Sequence, residues 1–215
     1  MHKLSTFLRL TSLTRSMSST TANSASTGTT SGAKKKLNVH SFPRPPTCER
    51  TDRALTIKWG DTVVAETKPD EAYWVLETTH PPTYYLPPSS LTKDVTLSTI
   101  PRYSTMCEWK GAATYHVLTN NATGESVKSK IWSYQEPTPR FKEIKDYLCF
   151  YASGVPWSCW VDGEKVQPQE GRFDRRLFAR AEEKLMRISI GDFYGGWVTS
   201  ELEGPMKGGP GTWGW

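Results

Sequence analysis

Residues 53–66, RALTIKW-GD-TVVAE, restrict the fold more than any other part of this chain. Leu55, Ile57 and Trp59 alternate with Thr56 and Lys58, the period of a strand with one buried face. Gly60-Asp61 is a two-residue hairpin signal, and a second apolar run follows at once. The same punctuation continues downstream. Strands are expected at Tyr73–Thr78, Thr83–Leu86, Thr105–Glu108, Ala112–Leu118, Ser129–Tyr134 and Tyr147–Tyr151, with Asn120-Asn121 and Gly124 turning the chain. Asp162-Gly163 in CWVDGEKV marks a further hairpin. PPSSLTKDV and PTPRFKEIKD have room for one short helical turn each. Many short strands separated by turn signals imply a mainly β chain, a small antiparallel sandwich or barrel with short helical turns. The Gly-rich strand-to-helix turn of a doubly wound nucleotide fold is missing.

The formal charge of +5 is unevenly placed. Residues 1–48 hold seven basic side chains and no acid, whereas the rest holds 20 basic and 22 acidic ones. A nucleic-acid binder concentrates positive charge on its folded body, so that class loses its support. Nothing approaches the 18 or so apolar residues of a membrane span. Cys48, Cys107, Cys149 and Cys159 form no C-x-x-C pair and have no His at zinc-finger spacing, so no metal site is expected. Scattered single cysteines suit reduced thiols in an intracellular compartment.

The first 49 residues read as a disordered tail before the β domain. Within it, Leu4, Phe7, Leu8 and Thr11 would share one helical face, with Lys3, Arg9 and Arg15 supplying charge. Together with abundant Ser and Thr and no acid, this is the make-up of a mitochondrial transit peptide. Met17 offers a second start and a cytoplasmic form. The domain is expected over residues 50–202, and residues 203–215 as a flexible tail.

Several blocks carry a family resemblance: WVLETTHPPTYYLPP, TMCEWKGAATYHV, IWSYQEPTP, FKEIKDYLCFY, VDGEKVQPQ and GDFYGGWVTSEL. In order and spacing they resemble domain of unknown function 427 (DUF 427), in a fungal-type member. The resemblance implies a small β-tent-like domain and brings no established activity or cofactor. A nucleotidyltransferase label travels with the family and stands as a further alternative on that label alone, since no Gly-Ser with a following acid pair for two metal ions is found here. The zinc knuckle frequent in β-tent relatives is also missing. The chain departs from the family pattern at Gly171–Ile190, which carries six basic and three acidic residues between VQPQ and FYGGWVT. Excising it gives VQPQEGDFYGGWVT, so the block reads either as a retained intron or as a real surface insertion in a loop.

Candidate site residues gather in WVLETTHPPTYYLPP and CEWKG. Pro81-Pro82 stiffen the corner after His80, which reads as scaffold, and set Tyr84 and Tyr85 on opposite faces of the next strand. Glu77 follows an apolar run and needs a partner, a cleft or solvent, and Lys110 is the expected partner. Read as a strand, CEWKG puts Glu108 and Lys110 on one face and Cys107 and Trp109 on the other. Trp132, Tyr134, Tyr194 and Trp197 complete an aromatic wall around a flexible Gly195-Gly196 turn. The expectation is a small-molecule site lined by Glu77, Tyr85, Glu108, Trp109, Lys110, Trp132, Tyr134, Tyr194 and Trp197. Glu77 and Lys110 are its candidates for proton transfer or for anchoring an anionic ligand. The competing reading is a non-catalytic interaction module, a homodimer joined by exposed aromatics or edge strands.

Overall fold

The computed structural model describes residues 35–169 and 195–207. The proposed targeting segment, the 171–190 block, Tyr194 and residues 208–215 lie outside them. The described residues are mainly β, built from small antiparallel sheets with a few 3-10 turns.

The hairpin that opens the sequence forms as its pattern requires. β3 (Leu55–Trp59) pairs with β4 (Thr62–Thr67) across Gly60, and Leu55, Ile57 and Trp59 are buried. On the other side of β3 runs β11 (Trp157–Val161), which turns into β12 (Glu164–Lys165). The turn residues Asp162 and Gly163 have φ of 48° and 80°. Positive φ at both positions is the type I′ geometry that Asp-Gly favours, because its twist matches the strands.

A second four-stranded sheet has the order β10-β9-β8-β7. It contains β7 (Val95–Cys107), β8 (Gly111–Asn120), β9 (Ser126–Ser133) and β10 (Cys149–Phe150). β7 starts ten residues before the expected Thr105. Its early part is mostly polar and exposed, so it carries no apolar alternation to reveal it. It is an edge strand, where Pro101 is tolerated because no neighbour needs its missing N–H. CEWKG is not a continuous strand. Cys107 pairs with Gly111, and Glu108, Trp109 and Lys110 form the hairpin turn. Gly111 enters β8 at φ 96°, a conformation side chains rarely adopt.

The third sheet joins β2 (Thr47–Arg50), β5 (Tyr73–Leu76) and β6 (Thr83–Tyr85). Two short pairings draw in the chain's later part. β1 (Leu37–Asn38) runs parallel to β15 (Leu202–Glu203), and β13 (Gln167–Pro168) pairs with β14 (Trp197–Val198). Ordered strands therefore occur on the outer sides of the expected limits, residues 50 and 202. Two-residue strands carry too little pattern to be read in advance. The expected helical turns occur at Pro88–Ser90 and Pro139–Ile144.

Two apolar clusters fill the interior. One gathers Leu55, Ile57, Tyr84, Phe150 and Trp197, and the other gathers Tyr85, Tyr115, Trp132, Tyr134 and Phe141. Tyr84 and Tyr85 enter different clusters because successive residues of a strand point to opposite faces.

Candidate functional site

Where β6, β8 and β9 present their aromatic faces, the second cluster is open on one side. The opening is a cleft of about 870 Å³. Three aromatic pairs line it: Tyr85 with Tyr134 at 6.3 Å, Tyr103 with Tyr115 at 4.9 Å, and Trp132 with Tyr151 at 4.4 Å between ring centroids.

Of the nine residues expected at the site, seven share this cleft: Glu77, Tyr85, Glu108, Trp109, Lys110, Trp132 and Tyr134. Tyr194 lies outside the described residues. Trp197 does not line this cleft. It is fully buried in the first cluster, stacks on Tyr84 at 5.1 Å, and donates its indole N–H to the Phe150 carbonyl at 2.9 Å. The neighbouring glycines are not a flexible turn. A side chain at Gly195 (φ 70°) would strike the Trp132 ring, and one at Gly196 would meet Gln169 and Pro81. They permit close approach of the returning chain to the cleft wall.

Glu77 and Lys110 share the cleft without forming an ion pair; the ion pairs among the described residues join other partners. The Lys110 ammonium instead lies 6.0 Å from the Tyr134 ring and 5.9 Å from that of Phe141. Glu108 meets Arg44 at 3.5 Å, an exposed contact that adds little stability. The turn holding these residues is pinned from outside. The Thr138 hydroxyl donates to the Trp109 carbonyl at 2.6 Å, and the Thr138 amide donates to Lys110 at 3.2 Å.

Tyr85 lines the cleft from the core side. It is fully buried, and its hydroxyl proton has no acceptor. Burial, reinforced by Tyr134, Cys149 and Cys107, pushes this phenol well above its ordinary value, against a smaller opposing hydrogen bond from the Trp132 indole N–H. Burial and the same two thiols also raise Tyr134. Both phenols therefore keep their protons at neutral pH and can donate. The Trp109 indole N–H is a further buried donor without a partner.

His80, read from sequence as scaffold, lines the cleft as well. Burial, then the charges of Lys207, Lys110 and Arg44, push it down to about 4 against an opposing hydrogen bond with Gln169. The ring is neutral at pH 7. Lys128, Lys130, Tyr151 and Lys207 also escaped the sequence reading. Lys128 and Lys130 left one faint trace, two cations at strand spacing in KSK. Nothing local showed that Tyr151 and Lys207 would face the same space.

A family model described as a domain of unknown function (DUF427) matches residues 47–166, more than half of the chain. The chain belongs to this family. No curated protein matches it. The cleft lining from Val75 to Gly154 falls inside the DUF427 span, and Lys207 comes from beyond it. The cleft is thus formed largely by the part of the chain that defines the DUF427 domain. From the segment after residue 195, Lys207 joins the lining.

Proposed function

We propose that this DUF427 protein binds a small planar molecule in the aromatic cleft. The observation that carries the reading is the buried Tyr85 hydroxyl in the cleft lining, whose proton has no acceptor. Leaving such a group unpaired costs about 1–3 kcal/mol, so natural interiors rarely retain one without a use. A ligand acceptor would satisfy it, while the Tyr115 and Trp132 rings pack a flat surface. Glu77 and Lys110, facing the cleft without each other, position polar groups of the ligand. The volume lies within the usual range for small-molecule sites.

Exposure on β7 favours a second reading, an interaction module. Met106 is 78% exposed and Tyr103 is 47% exposed. Both also line the cleft, and the edge beside them is interrupted by Pro101 and a register shift between Thr99 and Ser104. Proline and bulges of this kind blunt an edge against pairing, which supports the ligand reading over a strand-paired dimer.

The test is thermal unfolding of the full chain against a panel of metabolites and nucleotides. A compound that binds only the folded state raises the midpoint. A reproducible rise with one chemical class, reduced by Lys110→Ala, supports the proposal. Cooperative unfolding with no shift across the panel overturns it and turns the search to protein partners.

A further inference from the structure

The two ends of the cleft differ in their charged groups. Its carboxylates, Glu77 and Glu108, share one end with the cations Lys110 and Lys207. Glu108 shares the turn of Lys110, and the Glu77 carbonyl accepts from the amide of His80, which feels the charges of Lys207 and Lys110. The far end is reached along β8, from Gly111 to the Val117 level, where Lys128 is the partner on β9. Six residues of strand separate the ends by roughly 20 Å. At the far end Lys128, Ser129, Lys130, Ser153 and Gly154 line the wall, with no carboxylate among them.

An irregularity in the sheet builds this end. Val117 pairs with Lys128 and His116 with Ile131, so Ser129 and Lys130 are extra residues on β9. Ser129 takes up the distortion at φ 62°, which is uncommon for a residue with a side chain. β7 carries its own shift opposite Tyr115, with Arg102 at φ 58°. Bulges on both neighbours of β8 therefore re-aim side chains at one level of the cleft. Lys130 is held there by Tyr151, whose ring centre is 5.2 Å from its ammonium, and it stands against Gly154. Among the described residues neither Lys128 nor Lys130 forms an ion pair. Lys128 is exposed and Lys130 half-buried, so both ammonium groups are within reach of a dianion that would neutralise them together.

We propose that the Lys128–Ser129–Lys130 bulge is a subsite for a phosphomonoester, so that the molecule bound against the aromatic wall carries a phosphate. This rests on the small-molecule reading of the same cleft. A phosphomonoester is close to doubly charged at neutral pH and offers several acceptor oxygens. That matches two lysines and a serine hydroxyl. A carboxylate carries one charge and is better matched by the planar fork of arginine.

The test uses three probes that share one ring system: 2-naphthol, 2-naphthoate and 2-naphthyl phosphate. Their binding to the full chain is followed by calorimetry at pH 7.5 and low salt. The expected order places 2-naphthyl phosphate at least tenfold tighter than the other two. Lys128→Gln/Lys130→Gln lowers 2-naphthyl phosphate affinity at least tenfold more than it lowers 2-naphthol affinity, with circular dichroism confirming the fold. Equal affinity of naphthoate and naphthyl phosphate overturns the phosphate assignment in favour of a general anion site. So does a phosphate advantage that survives the double substitution. Equal binding of all three overturns the subsite while leaving the aromatic cleft in place. No binding of any probe at millimolar concentration also overturns the subsite, and the ligand panel then judges the cleft separately.

Discussion

Replacing Tyr85 with Phe separates what the cleft does for folding from what it does for binding. The ring is fully buried and sits 6.3 Å from Tyr134. Tyr85→Phe keeps that packing and removes a hydroxyl whose proton has no acceptor, together with its weaker contact to the Trp132 indole N–H. The unmet donor costs about 1–3 kcal/mol, and its removal returns up to that amount to the unliganded protein. For a chain of this size each kcal/mol moves the melting temperature by roughly 2–4 °C. The variant is therefore expected to melt about 2–12 °C higher than the parent. Any ligand that accepts from Tyr85 should bind roughly threefold to tenfold more weakly, the equivalent of one neutral hydrogen bond. Differential scanning calorimetry without ligand, followed by titration of a compound from the panel, reads both effects. A variant that melts lower than the parent refutes the reasoning, because the hydroxyl would then be satisfied before any ligand arrives.

Three further outcomes follow from other contacts. Glu201→Gln should lower stability by about 1–2 kcal/mol in urea unfolding with an unchanged slope, because Arg53 loses the buried carboxylate 2.8 Å away but keeps Asp52 and Asp162. Stability should fall as pH drops from about 6.5 towards about 4, because the unfolded chain protonates His80 first while burial, Lys207, Lys110 and Arg44 keep the folded ring neutral. This loss is at most about 3 kcal/mol, and His116, lowered by burial, acts in the same direction. His80→Asn should flatten the melting-temperature profile between pH 7 and 4.5, and parallel profiles for parent and variant would contradict the assignment. Gly195→Ala combines a left-handed backbone, worth about 1–2 kcal/mol, with contact against Trp132. It should lower the melting temperature and change the tryptophan fluorescence of the cleft wall.

Sequence reading succeeded where the signal was local. Alternation placed β3, and Gly60 and Asp162-Gly163 placed their hairpins, because strand period and turn conformation are properties of a few adjacent residues. The split of Tyr84 and Tyr85 followed from strand geometry alone. The errors arose where long-range packing decides. Trp197 and Tyr134 are similar in sequence terms, yet Trp197 crosses to the Phe150 side and joins the core. The polar start of β7 is held by pairing with β8, not by its own pattern. In the cleft, the aromatic wall and the Glu77 and Lys110 pole were legible because unusual residues sat close together in sequence. The lysine pole was not. A regular strand would also carry Lys128 and Lys130 on one face, and nothing local marked the bulge opposite Val117 or the cleft that both residues line.

The block at 171–190 can be judged from the two ends it joins. Pro168 pairs with Trp197, and the Gln169 amide donates to the Gly196 carbonyl at 3.1 Å. The two ends of the connection thus lie on paired strands, β13 and β14. Twenty-five residues, 170–194, connect them, and excision of 171–190 leaves five. Five residues are ample for an antiparallel connection. For a connection that contributes only chain entropy, shortening the loop fivefold stabilises the fold by about 1.4 kcal/mol. Deletion of 171–190 is therefore expected to preserve the far-ultraviolet circular dichroism and raise the melting temperature by roughly 3–6 °C. The Gly195 contact with Trp132 should survive, since β13 and β14 hold it from both sides of the gap. A deletion variant that fails to unfold cooperatively, or melts below the parent, shows that the block contributes contacts of its own. In that case it is an integral part of the domain, and an excisable insertion is ruled out.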